Sequence, residues 1–177
     1  KGKASNPTLC DDNQIIGCAY NPLTHDLITF TSLRIKLWNI FSGKVKKIYE
    51  DFVTGELTTY ELDKCNKKCY LGENTGKIKC LNLLNGKILK EFKRHNSYII
   101  NIFHSIKLNM LITASSDMCI RFHTGLDNNS DIIREIYALP VSNDPIIEKN
   151  SLKSIILDEN ENMLIMALAN GFISFYD

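Results

Sequence analysis

The chain of 177 residues contains four copies of one short pattern, and this repetition constrains its fold more than any other feature. Each copy is a short apolar strand, a tight turn rich in Asn, Asp or Gly, and a second strand of alternating apolar and polar residues. The copies span residues 27–39, 69–82, 111–123 and 164–177. Each second strand ends at an equivalent position, which is held in turn by Trp38, Leu81, His123 and Tyr176. Because these positions are 43, 42 and 53 residues apart, the sequence predicts units of about 43 residues.

Further strands lie on either side of the copies. A strand-like segment precedes every copy, at residues 15–20, 57–62, 98–103 and 152–157. Three copies are followed by another alternating segment, at residues 45–50, 88–93 and 132–137. Four strands per unit predict an all-β chain of antiparallel sheets. The predicted sheets cover residues 15–50, 57–93, 98–137 and 152–177, and the last of them is incomplete.

The segment Ile35-Lys36-Leu37-Trp38-Asn39 resembles the I-x-L-W-D strand of the WD-repeat β-propeller family. Residues 113–117 and 170–171 are similar to the family's S-G-S-x-D-G turn. The resemblance implies blades of four antiparallel strands that close into a ring, usually of about 4–8 blades. It implies that residues 1–177 form one segment of about four blades, within a larger seven- or eight-bladed propeller. We expect such an arc, if isolated, to associate with a second copy through its uncovered end blades.

The resemblance also implies a buried hydrogen-bond network of His, Ser or Thr, Asp and Trp within a blade. Residues matching these places are His95, Thr113 or Ser115, Asp117 and, in the place of Trp, His123 in the third unit, and Trp38 in the first. Since the third unit lacks the Trp and the other units lack the Asp, we expect incomplete networks. Blades of this kind are expected to be less rigid than those of a consensus propeller.

Composition bounds the class of protein. With 44% apolar and 23% charged residues the chain can bury a core, and a net charge near +1 argues against a general nucleic-acid binder. The longest apolar run, residues 163–169, is too short to span a bilayer, and no apolar leader follows Lys1. We therefore expect a cytoplasmic protein that does not enter a membrane.

Catalytic and cofactor-binding residues do not stand out from the repeat. The six cysteines form no C-x-x-C pair, and Cys65 and Cys69 lack a second ligand pair at zinc spacing. His95, Ser115 and Asp117 suggest a hydrolase triad, but their places in the repeat favour a structural role, and no G-x-S-x-G elbow is present. We expect no enzyme activity, no cofactor and no metal site.

One connection is longer than its equivalents and is a candidate for partner recognition. From His123 to the next unit at Leu152 there are 29 positions, against 17 in the stretch that follows Leu81. A long loop with prolines and apolar residues suits recognition, although a tolerated surface insertion explains it equally well. The predicted contact residues are Pro140, Asp144, Pro145, Ile146 and Ile147, with Met118 and Phe52 in loops of the same propeller face.

Three functions remain open. The leading hypothesis is a non-catalytic scaffold that binds proteins or peptides through the loops of one face, because function in the resembled fold lies in grafted sites. The second is a structural component of a cytoskeletal or ciliary microtubule assembly, because residues 70–78 and 117–121 look similar to WD-repeat proteins of cilia and flagella. The third is a propeller enzyme, for which the sequence offers no cluster of acids or metal ligands.

Overall fold

The computed structural model describes residues 11–124, 132–137, 151–158, 160 and 162–176, and over these residues the protein is all-β. Strands of the described chain fold into four antiparallel sheets of three or four strands. Nowhere in these ranges is there a helix long and apolar enough to cross a membrane. The fold class predicted from the repeat is confirmed.

The strands of each sheet follow one another in chain order. The first sheet consists of β1 (Ile15–Asn21), β2 (Asp26–Thr31), β3 (Ile35–Asn39) and β4 (Val45–Tyr49). The second consists of β5 (Leu57–Leu62), β6 (Lys68–Glu73), β7 (Ile78–Asn82) and β8 (Ile88–Phe92). The third consists of β9 (Ile99–Ser105), β10 (Met110–Ser115), β11 (Cys119–His123) and β12 (Ile132–Tyr137). The fourth contains β13 (Leu152–Asp158), β14 (Met163–Leu168) and β15 (Ile173–Tyr176).

Strand register confirms that the four copies of the pattern are equivalent. In each sheet, the second residue of the second strand lies opposite the residue at the equivalent position near the end of the alternating strand. The opposed pairs are Leu27 and Trp38, Cys69 and Leu81, Leu111 and His123, and Leu164 and Tyr176. Since a slip of one residue would move every side chain to the other face, this shared register places equivalent residues on equivalent faces.

The turns repeat as regularly as the strands. The first turn of each sheet contains one residue in the left-handed region, and these residues are His25, Asn66, Asn109 and Asn162. In the second turns of the second, third and fourth sheets the left-handed residue is Gly76, Met118 (φ of 67°) and Gly171, respectively, whereas the second turn of the first sheet has none. Asn and Gly tolerate this conformation, whereas a Met there stores backbone strain.

The chain divides into two compact units, one ending at Glu50 and the other beginning at Asp51. The first unit holds the first sheet, in which Ile28, Phe30 and Ile35 are buried. The second unit holds the other three sheets.

In the second unit, apolar side chains fill the space between neighbouring sheets. The cluster between the second and third sheets contains Tyr70, Ile78, Cys80, Phe92, Ile99, Ile102 and Leu111. The cluster between the third and fourth contains Ile112, Ala114, Ile120, Leu152, Ile155, Leu164, Met166 and Leu168. Burying one large apolar side chain contributes about 1.5–3 kcal/mol, so the packed sheets form a stable frame for the loops.

Hydrogen bonds also join the first strands of consecutive sheets in this unit. The Thr58 hydroxyl of β5 donates to the Ile99 carbonyl of β9 at 2.6 Å. The Ile155 N–H of β13 donates to Asn101 Oδ1 of β9 at 3.2 Å. First strands that lie side by side while later strands lie further out are the arrangement of propeller blades.

Candidate functional site

The loops at one end of the second unit form a continuous surface, which we call the loop end. It comprises residues 51–56, 74–77, 93–98 and 116–118, which are the second turns of the second and third sheets and the connections that enter these sheets. The backbone hydrogen bonds that join these segments run from Asn74 N–H to the Glu56 carbonyl (2.9 Å), from His95 N–H to the Gly76 carbonyl (2.9 Å) and from Ser116 N–H to the Tyr98 carbonyl (3.0 Å). Each segment is therefore held to the next.

The buried carboxylate of Glu73 organises the loop end of the second sheet, and the sequence did not single it out. Glu73 is the last residue of β6 and has no exposed surface. Its Oε2 accepts hydrogen bonds from the Thr54 N–H (3.1 Å) and hydroxyl (2.8 Å), the Gly55 N–H (3.2 Å) and the Thr75 hydroxyl (3.0 Å). Its Oε1 lies 2.9 Å from Lys79 Nζ. One side chain thus ties the connection entering the sheet to its second turn.

These partners keep Glu73 ionised. Burial alone would raise the pKa of this carboxyl, but hydrogen bonds from Lys79, Thr54 and Thr75 outweigh burial and lower it. The side chain of Lys79 is 4% exposed, so the charge pair is almost completely removed from water. Removing either partner would leave the other charge buried without compensation.

In the second and third sheets, a buried cation also holds the connection that enters the sheet. Lys79 Nζ donates to the Phe52 carbonyl at 2.8 Å, and Arg121 Nη1 donates to the Arg94 carbonyl at 2.6 Å. Each carbonyl lies 27 residues before its cation, in the connection that enters the same sheet. Because charge-assisted hydrogen bonds are stronger than neutral ones, these cations anchor both connections.

The third sheet contains a chain of three buried polar side chains. His95 Nε2 lies 2.8 Å from Thr113 Oγ1, which lies 2.9 Å from His123 Nε2. The residues are 1%, 0% and 0% exposed, respectively. A hydroxyl has a single hydrogen, so Thr113 donates to one imidazole and accepts from the other. The structure thus brings together His95, Thr113 and His123, which are three of the residues that the family resemblance places in one network.

Both imidazoles are neutral near pH 7. Burial, and next the charge of Arg121, lower the pKa of His95 to about 4. Burial, and next the neighbouring His95, lower the pKa of His123 to about 4. Two neutral rings bridged by a hydroxyl form a structural tie, because none of the three groups reaches the surface.

Asp117 does not join this chain, which departs from the expected network, and of the two candidate hydroxyls the chain uses that of Thr113 and not that of Ser115. Asp117 Oδ1 accepts the Cys119 N–H at 3.1 Å, so the exposed carboxylate caps its own turn. The buried hydroxyl of Ser115 has no hydrogen-bond partner among the described residues. The reason is register, since Thr113, two residues before Ser115, is the hydroxyl that lies between the imidazoles.

In the first unit, Trp38 makes the hydrogen bond that corresponds to the one between His123 and Thr113. Its indole Nε1 donates to Thr29 Oγ1 at 2.9 Å. Thr29 and Thr113 are equivalent, because Thr29 lies opposite Lys36 and Thr113 lies opposite Arg121 in their sheets. The first and third sheets therefore use the same Thr position with different partners.

Of the residues predicted to contact partners, Phe52 is buried, so the prediction for this side chain is wrong. Its side chain is 2% exposed and only its carbonyl is used, because a large apolar ring is more stable away from water. Met118 is half-buried and packs in part against the core between the third and fourth sheets. The other predicted contacts, Pro140, Asp144, Pro145, Ile146 and Ile147, lie outside the described residues.

The exposed surface of the loop end is mixed in charge. Tyr98, which is 41% exposed, contributes an aromatic ring, and Arg94 contributes a planar cation. Tyr and Arg are enriched in protein interfaces. The exposed residues of the loop end are Asp51, Thr54, Glu56, Asn74, Lys93, Arg94, Asn96, Tyr98 and Asp117.

The repeat itself held the signal for the buried cations. The position two residues before Trp38, Leu81 and His123 carries a cation each time, in the form of Lys36, Lys79 and Arg121. The acidic partners are Asp11 (2.8 Å), Glu73 (2.9 Å) and Glu135 (3.3 Å). No spacing rule predicts these acids, because each comes from a different kind of element.

Comparison with known proteins gives one curated relative. No known protein-family profile matches the chain. The chain is similar to "Cilia- and flagella-associated protein 337 B" of Tetrahymena thermophila, with 32% identity over 178 residues. The similarity covers 99% of this chain and 13% of that protein, so the chain spans a small part of the relative's length.

Solved structures with a similar fold identify the sheets. The computationally designed Ika4 protein matches with a TM-score of 0.74 and 16% identity, over 99% of this chain and 98% of that one. The WD40 β-propeller domain of Doa1 matches with a TM-score of 0.75 and 14% identity, over 94% of this chain and 51% of that one. Likeness at these identities shows the fold alone, and the fold is that of β-propeller blades.

Proposed function

We propose that the chain is a non-catalytic scaffold of the WD-repeat type, which binds a protein or peptide partner through its loop end. The observation that carries this proposal is that Glu73, Lys79 and Arg121 direct buried charge-assisted hydrogen bonds to the loop end. A binding surface whose backbone is fixed in advance loses less conformational entropy when a partner docks.

The chemistry of the surface supports binding rather than catalysis. The grouped His95, Thr113 and His123 are buried, so no substrate reaches them. The exposed groups nearby include Tyr98, Arg94 and Asn96, which suit a protein interface of mixed polarity. A propeller frame provides no chemistry of its own, and function is added through loops.

A matched pair of variants tests the loop end. Tyr98→Ala removes an exposed ring there, whereas Ile106→Ala removes a side chain that is 51% exposed in the first turn of the same sheet, at the opposite end. In pull-downs from ciliated cells, we expect Tyr98→Ala to lose partners that the wild type and Ile106→Ala retain. Identical partner sets for all three proteins would refute the loop end as the binding surface.

The segment 138–151 provides a second arm of this experiment. Its candidate contacts are Pro140, Pro145 and Ile147, and it connects the third sheet to the fourth. Deletion of the segment is expected to remove a partner if it is a recognition loop. If no partner changes, the segment is a tolerated insertion.

A second candidate function is a structural part of a ciliary or flagellar microtubule assembly. The relative that shares 32% identity with the chain is named as cilia- and flagella-associated, which supports this candidate. Co-sedimentation with purified microtubules separates the two: a microtubule component pellets with the polymer, and a soluble adaptor stays in the supernatant.

Self-association of the chain remains a prediction. Light scattering that finds a stable 20 kDa particle would refute it.

A further inference from the structure

Three side chains with metal-binding atoms meet at the loop end of the third sheet. They are His95 in the connection that enters the sheet, Asp117 in the second turn and Cys119 at the start of β11. One ring nitrogen, one carboxylate oxygen and the thiol sulfur all lie within 4.8 Å of one another. The residues come from separate segments, so the fold and not local sequence brings them together.

His95 offers a ring nitrogen that no other described residue uses. The residue is 1% exposed, and its Nε2 is engaged by Thr113 at 2.8 Å. Its Nδ1 is buried and has no hydrogen-bond partner in the described part of the chain. A buried polar atom without a partner is costly and calls for a water or an ion.

Of the other two side chains, Asp117 keeps one oxygen available, whereas the thiol of Cys119 donates to Glu135 and gives up this bond when it binds a metal. Asp117 uses Oδ1 to accept the Cys119 N–H, which leaves Oδ2, and the residue is exposed, so the cluster has an entry path from solvent. Cys119 is 2% exposed and its thiol lies 3.0 Å from Glu135 Oε1. The positive charge of the nearby Arg121 would repel a bound metal ion. However, its guanidinium lies 3.3 Å from the same Glu135 carboxylate, whose negative charge offsets this repulsion.

We propose that His95, Asp117 and Cys119 form a binding site for a divalent transition metal of the zinc class. Imidazole, thiolate and carboxylate are ligands that zinc takes in tetrahedral sites, and three protein ligands leave one position open to solvent. Zinc ligand atoms lie roughly 3.5 Å apart, so atoms that are within 4.8 Å of one another reach this spacing through small side-chain movements. Cys119 releases its thiol proton to solvent when it binds the metal.

The surroundings of His95 suit a metal ligand. Histidine ligands usually donate their second N–H to a fixed acceptor, which orients the ring. Here Nε2 is held by Thr113, whose hydroxyl is in turn held by His123. The site goes beyond the proposed scaffold function. It revises the expectation of no metal site, which rested on the spacing of candidate ligands along the sequence, whereas the fold brings these three residues together.

Cobalt(II) provides a direct test on the purified full chain, because a thiolate ligand gives cobalt an intense charge-transfer absorption. We expect this absorption in the wild type and in Cys65→Ser, which alters an exposed free cysteine, and its loss in Cys119→Ser. Asp117→Asn, at an exposed position, removes the charge of a ligand and should weaken binding by more than the roughly tenfold that loss of a ligand's hydrogen-bond partner causes. Absence of the absorption in the wild type, or its persistence in Cys119→Ser, would overturn the proposal.

Thermal unfolding with zinc provides a second readout that also reports folding. Metal that binds only the folded chain raises the unfolding midpoint. The rise is expected in the wild type and in Cys65→Ser, and not in a folded Cys119→Ser. An equal rise in all three proteins would assign the zinc to another place and contradict the site.

Discussion

The hydroxyl of Thr113 holds together the buried polar side chains of the third sheet. Its hydroxyl bridges two imidazoles that are at most 1% exposed. Thr113→Val keeps the shape but leaves His95 and His123 each without this partner, so we expect a loss of at least about 1–3 kcal/mol in the free energy of unfolding. Denaturant titration measures this loss. Thr24→Val, at an exposed turn position, is the control and should change little.

Lys79 is the second residue whose replacement has a large expected effect. Lys79→Met leaves the buried Glu73 carboxylate unpaired, and breaking such a pair costs about 3–5 kcal/mol. Lys77→Met, at a half-exposed position nearby, is the control. Adding Glu73→Gln to Lys79→Met should recover part of the loss, since no unpaired charge then remains. If Lys79→Met unfolds at the same denaturant concentration as the wild type, the pair has no structural role.

The lowered pKa of Glu73 predicts a dependence of stability on pH. The group's ordinary pKa is 4.5, and its folded pKa lies below this value. The unfolded chain therefore binds the proton first, so the stability that Glu73 contributes is complete above pH 4.5 and is lost as pH falls through the folded pKa. Unfolding titrations between neutral and acid pH should show the gap between wild type and Glu73→Gln narrowing below pH 4.5. A stability difference between the two proteins that stays constant with pH would contradict the ionised state of Glu73 in the folded chain.

At the scale of elements, the second turn of the second sheet is fixed by close backbone approach. Gly76 has a φ of 84°, and a Cβ there would lie 2.4 Å from the His95 carbonyl oxygen. Gly171, in the equivalent turn of the fourth sheet, has a φ of 87° and open space around it. Gly76→Ala should therefore destabilise more than Gly171→Ala, whose strain alone costs about 1–2 kcal/mol. Equal decreases in the thermal unfolding midpoint of the two variants would show that the backbone at His95 moves away from the added methyl group at little cost.

The elements themselves were largely predictable, because alternation fixes strands and polar turns fix their ends. The grouping of His95 and His123 with a hydroxyl was expected from the family resemblance, but the sequence did not decide between Thr113 and Ser115. It did not single out Glu73 at all, and it favoured an exposed Phe52 that is in fact buried. A charged residue at a strand end is usually exposed and a Phe in a loop can be either exposed or buried, so only the packing of neighbouring sheets decides their burial.

At the scale of the whole molecule, repetition predicts blades because each sheet needs a neighbour to cover its apolar face. The third and fourth sheets illustrate this, since Ile120 and Leu164 from the two sheets are buried in one cluster. Partners are not predictable in the same way. Exposed side chains such as those of Tyr98 and Asn96 are not constrained by packing, so the repeat gives no information about what they contact.

Site-specific photo-crosslinking tests whether the loop end contacts a protein partner, as we propose. A photoreactive amino acid replaces Tyr98 at the loop end in one protein, and Ile106 at the opposite end of the same sheet in another. In ciliated cells, we expect a discrete crosslinked protein from position 98 and none from position 106. Crosslinks from position 106 alone, or the same products from both positions, would show that the loop end is not the binding surface.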